Sequence, residues 1–514
     1  MRRGGWPEHP AIYEIYPRSF RDTTGSGEGD LRGVLEGLDH VASLGVDAIW
    51  LAPFYDSPMV DGGYDIRDHC AVDPRFGTLD DFDAVLARAH QLGLKVMTDL
   101  VFNHTSDRHP WFEAALLGDD AAAARYVFRD ARPDGGPPTN WLSFFGEPAW
   151  TWCPARKQYY LRQFLACQPS LDLRHPEVQA ELERIVHFWR DRGVDGFRFD
   201  AVTSFLFDPD LPDNPPASAE VRARMAVGPD NPYSFQDHLG DMLPGDGAAF
   251  AEKLRDWSGP DAWLIGEINS GNRSVELTAE FTAPDRLDAG YTVDLFVNEI
   301  TAARVAEIIA RKEAAGCGLA WCLSCHDHPR AISRSGDGSA RDAKLLALLS
   351  AALPGALILW QGEELGQKQA ELARDEIADP YDRLFWPVAP GRDGARVPFP
   401  WQAGTEGHGF TTGTPWLPMR DLADVALDAQ GPDGVLAFWR RALALRRDLP
   451  GDCAVKVDRE VLTILRGDVA FTLNFGQAAA AFAPGPVILA SGPVEGGKLP
   501  PRTGVACRMS RGQE

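Results

Sequence analysis

The sequence predicts an α/β protein built on a TIM (β/α)8 barrel, with a domain inserted after the third strand and an all-β domain at the C-terminus. Three observations carry that expectation. Eight short runs rich in β-branched and aromatic residues lie between residues 11 and 360, most of them followed by helical apolar spacing. One interval, 103–168, is far longer than a single connecting helix needs and is rich in Trp, Pro and Gly. From about residue 450 helical spacing gives way to short strands with Gly/Pro turns.

The first run is 11–16 (AIYEIY), which a Gly-rich loop joins to a helix near 31–44. The second is 47–52 (DAIWLA) and the third 95–102 (KVMTDLVF), after which the inserted stretch begins. The chain returns with 196–202 (GFRFDAV), 263–268 (WLIGEI), 286–296, 319–325 (LAWCLSC) and 356–360 (ALILW). A second insertion, about 362–421, follows the eighth run, and a helix over 434–447 closes the barrel. The expected boundaries are 1–102 with 169–449 for the barrel, 103–168 for the inserted domain and 450–514 for the C-terminal domain. An open doubly wound sheet is the alternative, but the G-x-G-x-x-G turn after its first strand is missing.

Charge narrows the partners. Lys and Arg number 51 against 74 Asp and Glu, a net charge of -23. Such a field repels phosphate backbones and anionic lipid, so neither nucleic acid nor a membrane is expected, and a neutral small-molecule substrate is. The first ten residues carry two arginines without an apolar run, which predicts no secretory signal. No apolar stretch approaches the ~20 residues of a membrane span. Eight cysteines are scattered along the chain; Cys322 and Cys325 form a C-x2-C with no second pair nearby, so reduced thiols in a cytoplasmic protein are expected rather than zinc. Nothing in the sequence sets an oligomeric state.

In a TIM barrel the C-terminal ends of the strands share one mouth. There the fourth run brings Asp200, with Arg198 two residues earlier on the same face. The fifth brings Glu267, the seventh His326 and Asp327, and the third Asn103 and His104. Glycosidic cleavage needs two carboxyl groups, one to attack the anomeric carbon and one kept protonated to release the leaving oxygen. Crowded carboxylates raise the pKa of at least one of their number, which supplies the acid, and a neighbouring cation keeps the nucleophile ionised.

These residues stand in motifs that resemble glycoside hydrolase family 13, the α-amylase superfamily, in its oligo-α-glucosidase branch. The likeness runs from 12–20 (IYEIYPRSF) through Gly63-Tyr64-Asp65 to Asp99-x-x-x-Asn103-His104. It continues through 196–200 (GFRFD), Gly266-Glu267, His326-Asp327, 361–366 (QGEELG) and Phe385-Trp386-Pro387. The resemblance implies Asp200 as nucleophile, Glu267 as acid/base and Asp327 as the carboxylate that binds sugar hydroxyls. It puts Tyr64, Asp65, His104, Arg198 and His326 around the non-reducing glucose, together with an arginine from Arg392-Asp393-x-x-Arg396, either Arg392 or Arg396.

The chain also departs from the family. Cys325 stands where an Asn usually precedes His-Asp, and 168–172 reads QPSLD where Q-P-D-L-N is usual. The first-loop motif that binds Ca2+ or Mg2+ in the branch survives as Asp22-x-Thr24-x-Ser26-x-Glu28-x-Asp30, with hydroxyls replacing the middle ligands. Hard cations favour carboxylate and amide oxygens, so a structural ion is expected to bind weakly or not at all, and no cofactor is needed for the chemistry.

The resulting expectation is a retaining exo-acting α-glucosidase for short substrates that also transfers glucose. A sucrose-active or isomerising enzyme is the alternative on the same scaffold. An inactive scaffold protein fits poorly, since all three carboxylates are present. Ala201 follows the nucleophile where branch members favouring α-1,6 bonds carry Val. It points to maltose- or sucrose-type linkages over isomaltose.

Overall fold

The computed structural model describes every residue except 1–3, 224, 226, 229, 270–272, 296–298, 389–390, 495 and 510–514. Eight parallel strands close into a barrel: β1 (Ala11–Ile15), β2 (Ala48–Leu51), β3 (Lys95–Leu100), β4 (Gly196–Phe199), β5 (Trp263–Ile268), β6 (Ala289–Thr292), β7 (Leu319–Cys322) and β8 (Ala356–Trp360). Each pairs with its chain neighbours, and β1 closes the ring against β8. All eight expected runs contain a barrel strand; the fifth and eighth coincide with theirs, and the others are trimmed at the ends. The sixth begins at Ala289 rather than 286, and its expected end, Phe296, lies outside the described residues.

The two-residue period of the strands sorts side chains between two cores. Ile12, Ala48, Trp50, Met97, Ile265, Ala320 and Ile358 fill the barrel interior, where Trp6 stacks on Trp263 at 5.6 Å. Their neighbours Tyr13, Ile15, Ile49 and Leu51 point outward into the core beneath the helices. Helix ends are specified locally. Asp30 caps Leu31–Ser43 by accepting from the Gly33 amide, and Thr78 with Asp81 forms a capping box on Leu79–Gln91. Helix Pro176–Arg192 starts with Pro at its first turn and stops at Gly193, whose φ of 108° suits only glycine well.

The inserted stretch holds a three-stranded antiparallel sheet of Phe128–Arg129, Gln158–Leu161 and Trp150–Cys153. A further excursion lies between β4 and helix Pro244–Ser258, within the residues expected to belong to the barrel. It packs on the inserted stretch: Phe207 joins the Trp141–Trp150 cluster, and Trp141 Nε1 donates to the Pro212 carbonyl at 2.7 Å. At the C-terminus five antiparallel strands, Ala454–Asp458, Val461–Arg466, Val469–Asn474, Thr503–Arg508 and Val487–Ala490, form one sheet. Arg466 ties this sheet to the barrel through the carbonyls of Ala351 and Leu353. Among the described residues no helix is long and apolar enough to cross a membrane. All eight cysteines are free thiols.

Candidate active site

The site is organised around one guanidinium. Register puts Arg198 of β4 level with Asp99 of β3 and Ile265 of β5, so inward side chains of adjacent strands meet at the C-terminal end of the barrel. Arg198 is wholly buried. Its Nη1 donates to Asp99 at 2.7 and 2.9 Å and to Asp200 Oδ1 at 2.7 Å. Its Nη2 donates to Glu267 Oε2 at 2.5 Å and to the Tyr291 hydroxyl at 2.6 Å. Three carboxyl groups thus share one cation, and they cannot all be ionised cheaply in a buried site. Burial pushes Glu267 up to about 7, with Arg198 pulling back and Asp200 and Asp327 adding to the rise. Burial also pushes Asp200 up to about 6, with Arg198 opposing. The proton therefore rests more firmly on Glu267 than on Asp200.

Asp327 behaves in the opposite way. Burial alone would raise its pKa, but His326, Arg392 and Arg396 outweigh burial and hold it well below the usual carboxylate range. Arg396 Nη2 lies 2.7 Å and Arg392 Nη1 3.3 Å from the same Asp327 oxygen. Both arginines singled out in the sequence therefore reach Asp327. Arg396 is the more enclosed, anchored to the His326 carbonyl; both arginines pair with Asp379, and Arg392 also bridges to Asp61 at 2.8 Å.

Tyr64 donates to Asp99 at 2.9 Å and stacks on His326 with ring centroids 5.2 Å apart. His104 is held against the Tyr64 carbonyl at 3.0 Å, and burial lowers its pKa to about 4, so it is neutral. Asp65 does not join this group. Its carboxylate is wholly buried and accepts from Ser57 Oγ and the amides of Val60 and Asp61, so it shapes the loop from within. The neighbouring Asp61 is the one that meets this cluster, bonded to Arg392 and, at 2.9 Å, to Gln168. Gly63-Tyr64-Asp65 is the recognisable string in the sequence, but the positive-φ turn at Gly62 and Gly63 separates the two aspartates. Ala201 is buried with φ 43° and ψ 44°, a left-handed conformation that a β-branched residue resists.

Sequence reasoning also passed over Glu14, Asp379 and Tyr291. For Glu14 a signal existed, since it shares the inward face of β1 with Ile12. Asp379 had none, because it comes from an irregular insertion with no period to read. That insertion also crosses the mouth: Tyr381 packs against Phe144 at 5.9 Å and Phe145 at 5.6 Å, both from the inserted stretch.

The first loop is internally satisfied. Asp22 accepts from the amides of Thr24, Gly25 and Gly27 and from the hydroxyls of Thr24 and Thr411. Asp30 accepts from Thr23 and the Gly33 amide, Glu28 pairs with Arg18, and Ser26 Oγ donates to the Glu28 carbonyl. With these oxygens already committed to protein hydrogens, the residues present do not fit a resident Ca2+ or Mg2+. Among the described residues no cluster of three His, Cys, Asp or Glu is arranged for a metal ion.

The alpha-amylase catalytic domain family model matches residues 14–450. A probable alpha-glucosidase of Rhizobium meliloti is 44% identical over 461 residues, covering 87% of this chain and 83% of the relative. A trehalose-6-phosphate hydrolase of Escherichia coli is 36% identical, covering 86% and 84%. Among solved structures, an alpha-glucosyl transfer enzyme, XgtA, superposes with a TM-score of 0.92 at 40% identity, covering 98% of this chain and 99% of that one.

Proposed function

The chain belongs to the alpha-amylase catalytic-domain family and is a glycoside hydrolase, and we propose that it is a retaining, exo-acting α-glucosidase that also transfers part of its glucose to sugar acceptors. One observation carries this reading: Asp200 and Glu267 hang from the two terminal nitrogens of Arg198, with the proton favouring Glu267. A retaining enzyme holds its two carboxyl groups ~5–5.5 Å apart, closer than an inverting one does.

Asp200 attacks the anomeric carbon as Glu267 donates its proton to the glycosidic oxygen. The carbon–oxygen bond breaks, the leaving sugar departs as an alcohol, and glucose remains as a β-ester on Asp200. Glu267, now a carboxylate, takes a proton from water, or from a second sugar, which attacks the same carbon and frees Asp200. Asp327, with its charge fixed by two arginines, holds ring hydroxyls as positive charge builds at the anomeric carbon.

The aromatic contact between the two insertions favours a pocket that admits one chain end. A phosphorylated glucoside, such as the Escherichia coli relative's name indicates, is disfavoured: Arg198, Arg392 and Arg396 are each already matched by carboxylates. Transfer to an acceptor, including a sucrose-converting reaction, is the second reading, favoured by the likeness to the alpha-glucosyl transfer enzyme. We also read Ala201 as directing the enzyme to maltose- or sucrose-type linkages, the first loop as metal-independent, and the free thiols as those of a cytoplasmic protein.

Product analysis on maltose, isomaltose, sucrose, trehalose and a nitrophenyl α-glucoside tests the reading. Glucose release from maltose that outpaces isomaltose and leaves soluble starch viscous is expected. Rapid starch thinning, or sucrose converted to an isomer without free glucose, would replace it with endo action or isomerisation.

A further inference from the structure

Glu14 and His326 are 312 positions apart, yet Glu14 Oε1 lies 2.5 Å from His326 Nδ1. Both side chains are buried, 0% and 1% exposed. Glu14 projects inward from β1. The imidazole lies in an aromatic box, stacked on Tyr64 at 5.2 Å and Tyr16 at 6.3 Å, with Trp50 and Trp360 at 6.0 and 6.2 Å. Such a box fixes the ring plane and excludes water. The second nitrogen, Nε2, lies 3.1 Å from Asp327 Oδ2 but is aligned with no protein acceptor, and the second oxygen of Glu14 also lacks a partner. A buried carboxylate with an idle oxygen is costly unless an opposite charge balances it.

We propose that Glu14 is a positioning residue for the glycosidase reaction, holding His326 as an imidazolium so that its Nε2–H faces the sugar as a permanent donor beside Asp327. This inference rests on the reading of the site given above. A neutral imidazole bonded through Nδ1–H would leave Nε2 a bare acceptor next to the Asp327 carboxylate, a repulsive pairing. An imidazolium removes that repulsion and places a fixed positive charge beside the developing oxocarbenium without competing for the protons of Glu267.

The charged surroundings agree. Burial would favour the neutral ring, but Asp327 and Glu14 outweigh it and hold His326 well above its ordinary range. Glu14 is raised by burial and drawn back by His326 and Arg198. Arg396 faces the ring's own backbone carbonyl, and Asp99 and Glu267 both feel the His326 charge. Tyr16 and Tyr64 supply neutral faces. Replacing Glu14 by Gln keeps the shape and an acceptor oxygen but removes one of the two anions that sustain the imidazolium.

The test combines nitrogen NMR of histidine-labelled protein with kinetics, His326 being assigned by its loss in His326→Gln. In the native protein the His326 nitrogens should keep imidazolium shifts at pH values well above the ~6.5 of a free imidazole. In Glu14→Gln they should titrate to neutral positions at least ~1 pH unit lower. On a nitrophenyl α-glucoside, Glu14→Gln should lose on the order of tenfold in kcat/KM above the native optimum, mostly through KM, and much less at acid pH. Neutral His326 shifts in the native protein at pH 7 would overturn the proposal without needing any variant to fold, as would a Glu14→Gln protein with unchanged shifts and pH profile. If the native protein turns over no α-glucoside, the functional reading fails, while the nitrogen shifts still decide whether Glu14 holds the charge.

Discussion

Asp99 receives two short bonds from a single nitrogen of Arg198, at 2.7 and 2.9 Å, and both side chains are wholly buried. Asp99 also accepts from Trp50 Nε1 and the Tyr64 hydroxyl, so it anchors the guanidinium to the barrel wall. Its charge raises the pKa of the nearby Asp200. Asp99→Asn should therefore do two things. The amide turns a donor toward Arg198, which should cost roughly 10- to 100-fold in kcat/KM, the worth of one hydrogen bond to a charged group. Loss of the negative charge should also move the acid limb of the pH profile to lower pH. An acid limb that stays in place would show that Asp99 does not act on the nucleophile.

The native pH profile follows from the same group. On the proposed mechanism, Asp200 takes up a proton below about 6 and can no longer attack, and above about 7 Glu267 loses the proton it must donate. A narrow bell in kcat/KM between those limbs is expected, with both limbs belonging to the coupled pair. A flat profile from pH 5 to 9 would contradict this assignment.

If Glu267 is the proposed acid, Glu267→Gln removes proton donation and leaves the attack intact. Activity on maltose should fall at least ~100-fold, whereas a nitrophenyl glucoside, whose leaving group needs little help, should lose far less in its first step. Equal losses on the two substrates would argue against Glu267 as the acid.

Much of this centre is legible in the sequence because strands alternate. Arg198 and Asp200 are two residues apart, and that spacing alone puts them on one inward face. The same rule reaches Glu14, but nothing along the chain says that a residue at position 14 meets one at position 326; only closure of β1 onto β8 does. The Gly63-Tyr64-Asp65 string points to Asp65, whereas Asp61 is the one that meets Arg392, because a turn, not a period, decides which aspartate faces inward. The excursion after β4 and the insertion holding Asp379, Arg392 and Arg396 are irregular, so their place over the mouth rests on long-range packing that no local pattern encodes.

The first loop gives a stability prediction. Because Asp22 is already bonded to three amides and two hydroxyls, chelation with EDTA should leave Tm unchanged, and added Ca2+ or Mg2+ should not raise it. Thr411→Val should lower stability by about 1–2 kcal/mol by stripping one donor from a buried carboxylate. A Tm that rises by several degrees with millimolar Ca2+ would mean that the loop opens to a metal after all.

The central claim is that glucose passes through a covalent bond to Asp200, and trapping that bond tests it most directly. A fluorinated glucosyl fluoride, which forms the ester quickly and releases it slowly, should leave one glucosyl adduct per chain in an acid-quenched sample. Peptide mass spectrometry should locate it on Asp200, and Asp200→Asn should neither form the adduct nor turn over substrate, losing on the order of 10^4-fold or more. An adduct on any other residue, or turnover without an adduct and with the β-anomer as first product, would contradict the account.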